Sequence, residues 1–128
     1  MPYRFAQTPL ALRVDLLGVI SAADIRGMLE EVERIEAGLS VMPNRVIDLT
    51  QVTAHEFTTS DMIANAHRRR MTAFSNPFRV AIIAPTPVSL GYARMFQILN
   101  DNADVTIEIF NDDGGAAAWL SAGTQHAD

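Results

Sequence analysis

Arg45-Val-Ile-Asp-Leu-Thr-Gln-Val-Thr-Ala-His-Glu-Phe-Thr-Thr-Ser-Asp61 is the stretch on which the fold turns. It reads as a buried strand over 45–50, a polar loop, and a helix start at 58–60, where hydroxyl side chains can accept orphan backbone N–H groups. In an open α/β sheet, such a junction at the carboxyl end of a central strand is where ligands and partners dock.

The same alternation extends outward on both sides. Upstream, 3–5 is a short strand and 10–17 a longer one. Leu10, Leu12, Val14 and Leu16 fall on one side of the longer strand, and Ala11, Arg13 and Asp15 on the other. Pro9 suggests a turn, so the two strands are expected to form a hairpin. Ser21 and Asp24 open a helix with an apolar stripe of Ile25, Met28, Leu29, Val32, Ile35 and Leu39. Gly38 and Pro43 close it.

Downstream, a helix is expected to run to about residue 74, with Ile63, Ala66, Arg70 and Phe74 on one side, until Asn76-Pro77 ends it. Residues 79–84 are apolar at consecutive positions, as in a central parallel strand. Thr86-Pro87 caps a helix that runs to about residue 99. In the last strand, 104–110, Val105, Ile107 and Ile109 alternate with Thr106 and Glu108. Asn111 to Asp113 then cap a short helix containing Trp119 and Leu120, and 121–128 is expected to fray.

Strands that alternate with helices require right-handed crossovers and a mainly parallel sheet. Arg13, Asp15, Asp48, Thr106 and Glu108 place polar groups on alternate strand positions, which argues against helices covering both faces evenly. The expected fold is α/β: a mainly parallel five-stranded sheet in sequence order, its first strand short and antiparallel, with four helices largely on one face. Arg13 and Asp48 should be able to pair across strands.

Composition bounds the function. The chain of 128 residues, 48% of them hydrophobic, reads as a single domain (1–128) with a real core. A net charge of −5 argues against nucleic acid as a partner. The absence of cysteine removes thiol catalysis and cysteine metal sites and fits a cytoplasmic protein. No apolar run is long enough to span a membrane. His55, His67 and His126 have no metal-ligand spacing, and no phosphate loop, dinucleotide fingerprint or nucleophile elbow occurs, so no metal and no cofactor are expected.

The pattern, with Val46-Ile-Asp-Leu-Thr-Gln-Val-Thr leading into a helix, resembles the SpoIIAA-like fold of STAS domains. Arg79-Val-Ala-Ile-Ile-Ala-Pro, Ala93-Arg-Met-Phe, Val105-Thr-Ile-Glu-Ile-Phe and Ala117-Ala-Trp-Leu carry the resemblance through the C-terminal half, to small bacterial proteins of that superfamily. It implies a non-enzymatic protein-interaction or regulatory module. In the anti-sigma-factor antagonists, a serine in an Asp-Ser-Ser-Gly run after the central strand is phosphorylated. Here that register gives Glu56-Phe57-Thr58-Thr59, without the glycine and with phenylalanine at the first serine. The lipid-carrying, Sec14-like branch of the resemblance implies the alternative, a binder of a lipid or small apolar ligand.

Two surfaces are candidates for function. The first is Thr58, Thr59, Ser60 and Asp61 with His55 and Glu56 in the preceding loop: a helix cap, a partner surface or a phospho-switch. A catalytic role for His55 and Glu56 would need a pocket with Arg79 or Arg94 converging on it. The second is the helix over 88–99, where Leu90, Tyr92, Met95 and Phe96 exceed one apolar stripe, Arg94 sits at the rim and Gly91 would admit a close neighbour. This helix is either buried or the surface for a protein partner, a second copy or an apolar small molecule. In the basic run His67 to Arg70, Arg68 and Arg69 read as a solvated face, and Arg70 as snorkelling along the core.

Overall fold

The computed structural model describes residues 2–125, apart from the side chains of Arg68, Arg70 and 123–125. The elements are β1 (Tyr3–Gln7), β2 (Leu12–Ser21), α1 (Ala22–Ala37), β3 (Arg45–Glu56), α2 (Thr59–Arg70), β4 (Phe78–Ile83), α3 (Pro87–Leu99), β5 (Val105–Phe110) and α4 (Asp113–Gln125). The strands form one sheet in the order β1-β2-β3-β4-β5. β1 is antiparallel to β2, and the remaining pairs are parallel. The α/β class, the strand order and the antiparallel first strand follow the sequence pattern.

Alternation along the strands sorts side chains between two faces. Val14, Leu16, Ile20, Ile47, Leu49, Val80, Ile82 and Ile107 form the main core with Met28, Leu29 and Val32 of α1 and Ala93 of α3. Ala11, Val46, Ala81 and Ile83 face the other way, against Ala116 and Leu120 of α4. Three helices therefore cover one face, and α4 covers part of the other. The rest of that second face holds the strand charges. Arg13 contacts Asp48 through Nη2, Asp15 at 2.9 Å and Asp113 of α4 at 2.7 Å. The Arg13–Asp48 pair is diagonal, since Arg13 stands opposite Val46 and Asp48 opposite Asp15.

Helix starts are fixed by reciprocal capping boxes at Ser21/Asp24, Thr58/Asp61 and Thr86/Ser89. Four boundaries and phases differ from the sequence expectation. β2 begins at Leu12 and runs to Ser21, leaving Leu10 outside and 38% exposed. β3 continues to Glu56, so His55 and Glu56 belong to a strand and not to a loop. α2 stops at Arg70, where Asn102 Nδ2 donates to the carbonyls of Arg69 at 3.0 Å and Thr72 at 2.8 Å. The inward face of α2 holds Ala66 and Arg69, while Ile63 is 51% exposed.

Arg69 is thus buried and not solvated. It donates to Glu36 Oε1 at 3.0 Å, and Arg45 contacts the same carboxylate. Desolvation pushes Arg45 down to about 10 against the pull of Glu36, and it remains protonated at neutral pH. The Arg70 side chain, the frayed-tail expectation beyond Gln125 and His126 lie outside the described residues, whereas 121–125 are helical.

Candidate functional site

β2 and β3 outrun the rest of the sheet. Pairing of β3 with β4 ends at Asp48, opposite Ile83, where Asp48 Oδ1 accepts the Thr50 amide at 2.8 Å. Pairing of β2 with β3 continues as far as Ser21 and Glu56. It does so through register shifts after Asp15 and Gly18, and Gly18 adopts φ 73°. The two overhanging strands then lead into α1 and α2. Beneath this overhang, at the carboxyl ends of the parallel strands, lies a cavity of about 70 Å³.

The cavity walls are Leu16 and Ile20 of β2, Ile25, Met28 and Leu29 of α1, and Ile47, Leu49, Val52 and His55 of β3. Phe57, Met62 and Asn65 close it from the α2 side, and Ile82, Tyr92, Ala93 and Phe96 from the other. Phe57 and Met62 occupy the N′ and N4 positions of a hydrophobic staple around the Thr58 cap. Among the described residues, no Asp, Glu, Lys or Arg lines this cavity.

His55 is one of its polar lining residues, with Asn65 and Tyr92. Its ring stacks on Tyr92, with centroids 4.3 Å apart and planes 10° from parallel, and meets Phe57 edge-on at 5.7 Å. Its Nε2 is shielded from solvent and has no hydrogen-bond partner among the described residues. Desolvation holds the imidazole below its ordinary pKa of 6.5, so it is neutral at pH 7.

The sequence-derived candidates are brought together in part. His55, Tyr92 and Phe96 meet at the cavity. Glu56 is exposed and outside its lining. Arg94 is exposed, and Arg79 lies over the Trp119 ring at 4.8 Å, so neither converges on His55. Thr58 Oγ1 accepts the Asp61 amide at 3.1 Å and Asp61 Oδ2 accepts the Thr58 amide at 2.8 Å, while Thr59 and Ser60 are exposed. Leu90 and Met95 are half-buried outside the cavity lining. A Cβ at Gly91 would meet no atom of another element within 4 Å among the described residues, so no close neighbour explains that glycine. Val88 and Ile98 are 61% and 74% exposed on the outer side of α3.

Sequence reasoning missed Phe57, Met62, Asn65 and the α1 wall. A signal for two of them was present: once Thr58-x-x-Asp61 is read as a capping box, Phe57 and Met62 become its staple. Among the described residues, no group of three or more His, Cys, Asp or Glu could hold a metal ion. Nor, among them, is any helix long and apolar enough to cross a membrane.

No family model matches the chain, and no curated protein matches it. Among solved structures, it is similar to an uncharacterized protein from the DUF3478 family with a SpoIIAA-like fold from Shewanella loihica PV-4. The match has a TM-score of 0.61 at 19% identity and covers 92% of this chain and 91% of the other. The fold is therefore SpoIIAA-like, as the resemblance implied.

Proposed function

We propose that this SpoIIAA-like chain is a non-enzymatic STAS-like module that binds the apolar part of a small molecule beneath the β2–β3 overhang. The observation that carries this reading is the apolar cavity at the strand carboxyl ends, where open α/β sheets take their ligands. With about 70 Å³ enclosed, the site suits a short alkyl chain and not a whole lipid. The separation of His55 from Glu56, Arg79 and Arg94 supports binding over catalysis. With this reading go a cytoplasmic location and a single domain.

A titration with pentane followed by methyl NMR tests it. The expected result is saturable shifts confined to methyls of Ile20, Leu29, Ile47 and Ile82. The absence of such shifts at the solubility limit of the probe would remove the reading.

A second reading, a protein-interaction or homodimer surface, is favoured by the exposed Ile63 of α2 and Val88 and Ile98 of α3. Light scattering across a concentration series would support it with a dimer that Ile98→Lys dissociates. A monomer throughout would leave the homodimer form without support.

A further inference from the structure

We infer that the ligand of the overhang cavity is uncharged and presents one hydrogen-bonding group, a hydroxyl above all, to Nε2 of His55. This rests on the ligand-binding reading above and specifies the class of molecule that fits it.

The walls decide the charge. A carboxylate or ammonium placed among Leu16, Ile20, Leu29, Ile47 and Ile82 would be desolvated with no opposite charge in the lining. Neutral alkyl matter meets no such penalty. His55 decides the polar group. Its Nε2 is shut away from water without a partner, a state that costs free energy until something pairs with it. The ring cannot easily turn to find a partner, because Tyr92 lies flat against it and Phe57 stands at its edge.

A neutral imidazole carries one donor nitrogen and one acceptor nitrogen. A hydroxyl both donates and accepts, so it satisfies Nε2 in either tautomer, whereas a carbonyl does so only when Nε2 carries the proton. Because Nε2 is buried, a ligand hydroxyl reaches it only with a shift of the side chains around His55. The cavity volume of about 70 Å³ limits the enclosed part to a few carbon atoms beyond the hydroxyl. The ligand is thus a short aliphatic alcohol, or the hydroxyl-bearing alkyl end of a larger neutral molecule.

The test compares 1-butanol, pentane, butyrate and butylammonium on the full chain by methyl NMR, with ¹⁵N-histidine labelling to observe Nε2. The expected result is 1-butanol binding at least tenfold tighter than the other three, with a shift of the His55 Nε2 resonance. In His55→Phe, the preference of 1-butanol over pentane should disappear. Pentane, butyrate or butylammonium binding as tightly as 1-butanol overturns the inference and leaves the cavity reading intact. So does a 1-butanol preference that survives in His55→Phe. Should that variant fail to fold, the wild-type series and the Nε2 resonance decide alone. Binding of none of the four removes the cavity reading and this inference with it.

Discussion

Glu36 is the residue whose role departs most from its place in the sequence. It lies in the last turn of α1, where a charged residue ordinarily faces solvent, yet it is 6% exposed. Its carboxylate takes Arg45 from the first position of β3 and Arg69 from the last turn of α2. The two guanidiniums lie over aromatic rings, Arg45 at 5.4 Å from the Phe78 centroid and Arg69 at 5.0 Å from that of Phe74. No local pattern announces this cluster. The three residues meet because parallel connections bring two helix ends and one strand start to the same pole of the sheet. Removing the carboxylate leaves two buried cations facing each other. Glu36→Ala is therefore expected to lose about 3–5 kcal/mol in urea unfolding. A loss under about 1 kcal/mol would mean that the aromatic contacts, not Glu36, hold the arginines.

At the scale of elements, the β2–β3 pair explains both what was legible and what was not. Leu12, Val14 and Leu16 alternate cleanly with Arg13 and Asp15, so the face of β2 could be read directly. Strand order and the antiparallel β1 follow from the βα alternation and the turn near Pro9. Beyond Leu17 the alternation breaks, because register shifts after Asp15 and Gly18 move side chains out of phase. A strand with polar Gln51 and Thr53 then resembles a loop, and the cavity it builds goes unread. His55, Tyr92 and Phe96 could be singled out by position and composition, but only the overhang brings them together. Gly18 is the hinge of this arrangement, with φ 73° and no atom within 4 Å of where a Cβ would stand. Gly18→Ala should thus report backbone strain without steric clash. The expectation is a loss of about 1–2 kcal/mol by urea unfolding. An unchanged midpoint would show that the overhang does not depend on a left-handed residue.

The whole molecule is divided by its sheet into two cores that the sequence did not distinguish. Strand charges such as Arg13 and Asp48 suggested a second face without a core, and part of it is indeed polar. The small residues Ala11 and Ala81 nevertheless make room for α4, whose Ala116 and Leu120 are 1% exposed. Around that seam, Arg79 Nη1 donates to the Trp119 carbonyl at 2.9 Å, and the Trp119 ring lies 5.6 Å from that of Phe110. Trp119 is the one tryptophan of the chain, so its fluorescence reports the α4 face. Leu120→Ala should cost about 2–5 kcal/mol, as buried leucine truncations do, and should alter Trp119 emission. Because β3 and β4 stand between this seam and the overhang cavity, the same variant should leave pentane-induced methyl shifts at Ile20 and Leu29 unchanged in size and midpoint. If Leu120→Ala weakened pentane binding tenfold, the two faces would be coupled through the sheet, and α4 would belong to the binding unit.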